Sequence, residues 1–259
     1  MNFHTIRQVR SIAWYTLLEA VRNRLVWLIV AVALIAVGLA GFADSLAITE
    51  SRQVQAALVG AVARGAAVFI MATFVVTSMA REFNDKALDL LLALSLPRVA
   101  YLFGKLFGYG AIALLPALLF GLLTLGFAPP LQAALWTVSL VCELWIVAGF
   151  GLLCILTFKN VMAALSAAMA FYIGARSAGA LLLLAQGQAG DATASRHVMN
   201  TVFETLAAVL PRLDAFTRTE WLVYNSGSLG SLSTIVIQTV VCMALLGGAA
   251  LFDLYRKNI

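Results

Sequence analysis

Charged residues are scarce in this 259-residue chain, and their scarcity limits the class of protein. Only 11% of the residues are Asp, Glu, Lys or Arg, whereas 63% are hydrophobic. A soluble domain carries about 25% charged residues, because its surface must stay hydrated. The mean hydropathy of +0.97 is far above the soluble average. The composition therefore excludes a soluble domain and predicts an integral membrane protein.

Cysteine and histidine are also rare, with three and two residues in the chain. Cys142, Cys154 and Cys242 all fall in apolar runs, where a thiol behaves as a small hydrophobic group. We therefore expect neither a disulfide framework nor a metal site. His4 and His197 are predicted to lie on opposite faces of the membrane, which leaves no Ser-His-Asp or Cys-His constellation for catalysis.

What the chain does contain is a series of long apolar runs. A run of about 20 residues crosses the bilayer as a helix, since lipid cannot hydrogen-bond an exposed backbone. No internal repeat is evident, so an inverted-repeat transporter gains no support. The sequence predicts an all-α integral membrane fold with six transmembrane helices: Leu25–Leu46, Gln55–Ala80, Tyr101–Phe127, Leu131–Phe158, Val161–Ala185 and Leu232–Phe252.

Lysine and arginine are distributed unequally between the two sides of these spans. With a cytoplasmic N-terminus, the inside segments hold Arg7, Arg10, Arg22, Arg24, Arg81, Lys86, Arg98, Lys105, Lys159, Arg256 and Lys257. The outside segments hold only Arg52, Arg196, Arg212 and Arg218. Basic loops stay in the cytoplasm. We therefore expect a multi-pass membrane protein with both termini cytoplasmic, and no nucleic-acid partner.

Three segments lie outside the spans. Residues 2–24 place apolar side chains on one helical face, and Trp14 and Tyr15 suit the membrane interface. This pattern predicts an interfacial amphipathic helix on the inner leaflet. The segment 186–231 is the only sizeable periplasmic region, with apolar residues at helical spacing from Val198 to Leu210. The third segment is the cytoplasmic loop 81–100.

The loop 81–100 belongs to the most distinctive stretch of the chain. Arg81–Lys105 reads REFNDKALDLLLALSLPRVAYLFGK, a charged, helix-forming interruption between two spans. An apolar helix at this surface either docks on a protein partner or lies on lipid. The acidic residues Glu82, Asp85 and Asp89 favour a protein groove over an anionic leaflet.

This stretch resembles the type-2 ATP-binding-cassette (ABC) permeases, especially the small six-span exporter subunits. The positions that match in register are Glu82, Leu88, Leu91, Leu92, Arg98, Gly104 and Lys105. The family's Gly-Thr pair is replaced here by Lys86-Ala87, and its usual proline by Ser95. The Arg22–Arg24 motif before the first span and Pro211–Phe216 late in the chain are also similar.

The resemblance implies a permease subunit that pairs with a second permease copy or homologue and with a dimer of cytoplasmic ABC ATPase subunits. Membrane lipids and a periplasmic partner would be further contacts. ATP and Mg²⁺ would bind to the ATPase, and this chain would hold no cofactor. The loop 81–100 would form a coupling helix between spans two and three, seated on the ATPase through Glu82, Asp85, Leu88, Leu91, Leu92 and Arg98.

The chain offers no phosphate-binding loop of its own. The single Gly-Lys pair is Gly104-Lys105, and Val99 stands where the G-x-x-x-x-G-K pattern needs its first glycine. We therefore expect a non-catalytic subunit, with ATP hydrolysis on a separate protein.

Three charged residues, Arg64, Glu143 and Arg176, fall inside predicted spans, where charges are rare and usually functional. At 1.5 Å per residue they lie about 25, 22 and 24 Å from the inner boundary. We expect them in one cluster of net charge +1, which could contact an anionic part of a substrate. Alternatively, the arginines extend to the outer headgroups, or the cluster holds spans two, four and five together.

Three functions follow from these patterns. The resemblance favours the permease subunit of an ATP-driven exporter. A membrane scaffold that anchors a periplasmic or cytoplasmic partner without transport is the alternative. An ion-coupled transporter is the weakest, because it needs paired acidic residues at mid-membrane and the chain offers only Glu143.

Overall fold

The computed structural model describes residues 3–23, 25–46, 51–84, 97–187 and 211–256. Within these ranges the regular structure is helical and no strand occurs. A short 3-10 helix spans Leu213–Ala215. The α-helices are α1 (Phe3–Arg22), α2 (Leu25–Leu46), α3 (Ser51–Asn84), α4 (Arg98–Thr124), α5 (Pro130–Phe158), α6 (Val161–Gly187), α7 (Thr219–Tyr224) and α8 (Leu229–Arg256).

Six helices, α2 to α6 and α8, are long and apolar enough to cross a membrane. This confirms the predicted all-α fold with six spans. The bounds differ in part: α2 has the predicted bounds, α4 ends at Thr124 instead of Phe127, and α3 runs from Ser51 to Asn84 rather than from Gln55 to Ala80. At about 51 Å it exceeds the ~30 Å hydrocarbon core. Hydropathy identifies only the part of a helix that lies in lipid. The helix itself is longer, because its backbone hydrogen bonds continue beyond the lipid-embedded part.

The most buried of the six spans is α5, which packs against α3, α4, α6 and α8. The least buried is α8. Large apolar side chains such as Trp27 on α2 and Phe252 on α8 face outward. Surfaces of this kind are stable only when lipid or another apolar partner covers them. The bundle is therefore organised around α5, with α2 and α8 at its periphery.

The N-terminal helix α1 packs across α4 over two glycines spaced four residues apart. A Cβ atom on Gly104 would lie 2.8 Å from Cβ of Ile12, and one on Gly108 would lie 2.8 Å from Cβ of Thr16. Glycines in this spacing let two helices approach until their backbones nearly touch. Ala20 is also fully buried. One side of the amphipathic helix therefore contacts protein rather than lipid.

We expect Gly108→Ala to destabilise the protein by about 1–3 kcal/mol, because the new methyl group overfills the contact between α1 and α4. The measurement is thermal unfolding of the purified protein in detergent. Gly38→Ala is the matched control, since a Cβ on Gly38 of α2 meets nothing within 4 Å. Equal unfolding temperatures for the two variants would show that the close contact does not contribute to stability.

Part of the segment predicted to be periplasmic folds back into the bundle. Phe216 is fully buried, and Trp221 and Leu222 of α7 are almost so. Gly60 of α3 makes room for α7, since a Cβ there would lie 2.8 Å from Cδ1 of Leu222. The helix predicted between Val198 and Leu210 lies outside the described residues. The segment 211–228 is thus a structural part of the bundle and not a freely exposed loop.

Candidate functional site

The predicted coupling loop is described only at its two ends. Glu82 lies in its first end, at the end of α3, and Arg98 lies in its second end, at the start of α4. The predicted contact residues that lie outside the described ranges are Asp85, Leu88, Leu91 and Leu92. Their predicted roles stay predictions.

At the first end of the loop, Glu82 accepts two bonds from α4. The hydroxyl of Tyr101 donates to Oε2 of Glu82 at 2.5 Å, and Nζ of Lys105 forms an ion pair with Oε1. The Lys105 side chain is only 5% exposed, and its ammonium lies 5.7 Å from the ring centre of Tyr109. A buried ammonium is costly without an anionic partner. Glu82 therefore fixes the last turn of α3 to the second turn of α4.

Glu19 of α1 joins the same region. Its carboxylate accepts a hydrogen bond from Oγ of Ser78 at 2.9 Å and pairs with Arg81 at 3.5 Å. The hydroxyl of Tyr109 donates to Oγ of Ser78 at 3.3 Å. Polar groups that bond one another in a low dielectric hold their helices in one arrangement. We call the whole set the loop network: Glu19, Ser78, Arg81, Glu82, Tyr101, Lys105 and Tyr109.

At the second end of the loop, Arg98 contacts the far end of α8. Its Nη1 donates to the carbonyl oxygen of Leu254 at 2.9 Å and to that of Tyr255 at 3.5 Å. The guanidinium also lies 5.7 Å from the ring centre of Tyr255. The last carbonyl groups of a helix lack partners within it, and a cation there is favourable. Arg98 thus fixes the start of α4 to the last span.

The three intramembrane charges Arg64, Glu143 and Arg176 lie in one cluster. Glu143 on α5 is fully buried. Its Oε1 accepts hydrogen bonds from the hydroxyl of Tyr172 at 2.9 Å and from Nη1 of Arg176 at 3.3 Å. Its Oε2 accepts one from the hydroxyl of Thr217. We call these five residues the arginine cluster.

The two arginines of the cluster also bind the backbone of the returning segment. Nη1 of Arg176 donates to the carbonyl oxygens of Leu213 at 2.9 Å and Phe216 at 3.0 Å. Nη1 of Arg64 donates to that of Thr217 at 3.1 Å. Irregular backbone is tolerated at membrane depth only where protein satisfies its polar groups. The arginines perform this role for residues 213–217.

Thr217 is the residue through which the returning segment 213–217 contacts three helices. Its φ of 40° lies in the left-handed region, which is unusual for a β-branched residue. Its backbone N–H donates to Oγ of Ser139 at 2.8 Å, so each of its polar groups has a partner. The contacts hold the unusual conformation in place and connect residues 213–217 to α3, α5 and α6.

These contacts favour one of the explanations given for the three charges. Both oxygens of Glu143 are occupied by protein donors, and both arginines point to backbone carbonyls rather than outward to headgroups. The cluster holds α3, α5 and α6 together. It also binds residues 213–217, which the sequence-based explanation did not include. A role in contacting substrate stays a prediction.

Sequence reasoning missed several members of both sites. Glu19 was not among the predicted site residues, and the structure shows it beside the buried residues Thr16 and Ala20. Tyr172 lies one helical turn from Arg176, which is also a readable signal. Nothing in the sequence places Ser139 or Thr217, because their partners are distant in the chain.

Among the described residues, no three His, Cys, Asp or Glu side chains lie close enough together to hold a metal ion. Cys142, Cys154 and Cys242 are free thiols. His197 lies outside the described ranges. The described part of the chain therefore gives no support to a metal role.

Comparison with known proteins adds one finding. A family model described as ABC-2 family transporter protein matches residues 50–247, which is more than half of the chain. The match includes all of α3 to α7 and most of α8, and with them the arginine cluster and all of the loop network except Glu19. No curated protein matches the chain.

Proposed function

The chain belongs to the ABC-2 family of transporter proteins, and from this premise we propose that it is the permease subunit of an ATP-driven exporter. A separate cytoplasmic ATPase binds ATP and Mg²⁺, and this chain, paired with a second permease copy or homologue, provides the path for the substrate. The subunit lies in the inner membrane with both termini in the cytoplasm, as the distribution of basic residues predicts.

The observation that supports this proposal most directly is the pair of attachments at the two ends of the loop 81–100, the loop network at one end and Arg98 at the other. Both ends of the loop 81–100 are fixed to neighbouring helices, Glu82 to α4 and Arg98 to α8. Glu19 adds α1 to the same unit. A push on the middle of the loop would therefore displace four helices together instead of bending one. Such a unit suits a subunit whose driving force is generated on another protein.

The helix α3 provides a path from this unit to the opposite end of the bundle. It carries Glu82 of the loop network and Arg64 of the arginine cluster, which are about 27 Å apart along the helix axis. Arg64 in turn binds the carbonyl oxygen of Thr217. We propose that displacement of the loop during ATP-driven closure moves α3 and opens the contact between α3 and residues 213–217. The substrate then leaves at that end.

The proposal predicts that Leu91→Asp separates the permease from its ATPase. A charge placed in an apolar docking surface removes a central contact, so we expect ATPase recovered with the tagged permease to fall at least about tenfold. The measurement is affinity purification from native membranes, with the ATPase quantified by mass spectrometry and by ATP hydrolysis. Leu91→Met, which keeps the surface apolar, is the control and should retain the partner.

A permease that purifies without any ATPase would contradict the proposal. If a non-ATPase partner is recovered equally with both variants, the chain is a membrane scaffold, the alternative that its composition also allows. The two outcomes are distinguished in the same experiment.

A further inference from the structure

A groove of about 420 Å³ lies between α4, α5 and α8. It is a groove that opens on the outer side of the bundle and not an enclosed cavity. It lies away from both the loop network and the arginine cluster, so neither site accounts for it.

The wall of the groove is apolar and its polar groups are already bonded. Its side chains include Phe107, Leu114 and Met243. The indole N–H of Trp145 donates to the carbonyl oxygen of Gly110 at 3.0 Å, and the hydroxyl of Thr239 to that of Ile235 at 2.8 Å. Water needs polar partners in a cavity. The groove therefore suits an apolar occupant and not a column of water.

The position and length of the groove indicate what that occupant is. Its wall is open to the surroundings of the bundle, since Phe107 is 64% and Val240 is 62% exposed. On α4 the lining runs from Phe103 to Leu114, about 16 Å of helix. One leaflet of a ~30 Å hydrocarbon core has about the same depth.

We propose that the groove between α4, α5 and α8 is a binding site for one acyl chain of a phospholipid from the cytoplasmic leaflet. The lining on α4 begins five residues after the helix starts at Arg98, so the chain would enter from the loop end of the bundle and lie along α4. The choice of leaflet rests on the cytoplasmic termini given under the proposed function, whereas the site itself rests on the shape and chemistry of the groove.

A second groove, between α2 and α3, provides an internal comparison. It is lined in part by the polar residues Asn23, Thr73 and Thr77. Polar groups in the wall make an apolar occupant less favourable there. The first groove should therefore retain lipid more strongly than the second, although both face outward.

The test is photo-crosslinking in bilayer nanodiscs of phosphatidylethanolamine and phosphatidylglycerol that contain a phosphatidylethanolamine with a diazirine on one acyl chain. Labelled peptides are mapped by mass spectrometry after mild delipidation. We expect labelling concentrated on the α4 and α8 peptides that line the groove. Ala244→Phe, which fills the groove, should lower that labelling about tenfold. Ala249→Phe, at another exposed alanine of α8 that does not line the groove, is the matched control and should leave it unchanged.

Two results would overturn the proposal. One such result is labelling of α2, α4 and α8 in proportion to the exposure of their residues, with no change in the Ala244→Phe variant. The groove would then hold only exchanging bulk lipid. If the groove peptides are instead protected by, or crosslinked to, peptides of a second copy of the chain, the occupant is protein. Native mass spectrometry of the variants verifies that each remains folded.

Discussion

Glu143→Ala is expected to destabilise the protein by about 3–5 kcal/mol, the cost of leaving a buried charge without its partner. The carboxylate of Glu143 accepts bonds from Tyr172, Arg176 and Thr217, and it is fully buried. Its removal leaves the guanidinium of Arg176 without its anionic partner. The measurement is thermal unfolding of the purified protein in detergent, together with the yield of folded protein from membranes.

Two milder variants at the same site serve as controls. Glu143→Gln keeps an oxygen that can accept a hydrogen bond and should lose less stability than alanine. Arg64→Gln removes the bond to the carbonyl oxygen of Thr217 but leaves the ion pair between Glu143 and Arg176 in place, so we expect it to fold while altering transport. If Glu143→Ala unfolds at the temperature of the unmodified protein, the arginine cluster does not hold the bundle together.

Glu82→Ala is expected to produce the second large effect, because it leaves the ammonium of Lys105 buried and unpaired. Both stability and ATP-driven transport should fall, since the end of α3 loses its connection to α4. Lys105→Met should be tolerated better. Its apolar side chain replaces the buried ammonium with a group of similar length, and the carboxylate of Glu82 is 22% exposed and keeps the bond from Tyr101.

A double-mutant cycle separates the ion pair from other effects of these substitutions. The variant that combines Glu82→Ala with Lys105→Met should be more stable than the two single losses predict, by about 0.5–3 kcal/mol. The unfolding temperatures of the two single variants and the double variant are compared with that of the unmodified protein. Strictly additive losses would show that the pair contributes no interaction of its own.

The prediction from sequence succeeded where the physical signal is local. Six apolar runs identified six spans, because the hydrocarbon core requires about 20 apolar residues in succession whatever the rest of the chain does. The common depth of Arg64, Glu143 and Arg176 was also readable, since rise per residue converts position into height. Counting residues could not show which groups would bond to them.

The sequence was less informative about α1. Its amphipathic pattern predicted an apolar face that lies on lipid. The pattern alone cannot distinguish contact with lipid from contact with a second helix, because both favour apolar side chains. The structure shows that Gly104 and Gly108 of α4 receive Ile12 and Thr16. The pair Gly104 and Gly108 is visible in the sequence, but its partner helix is not.

The amino-acid sequence by itself determined that this chain is a six-span membrane protein, since burial in lipid is decided by composition over short windows. It also placed the loop 81–100 between the second and third spans. Only the tertiary structure decided that this loop is fixed through Glu82 and Arg98 to α4 and α8, and that residues 213–217 enter the bundle to reach Arg64 and Arg176. These contacts join residues up to 157 positions apart, and such pairings depend on how the helices pack and not on the pattern of any one of them.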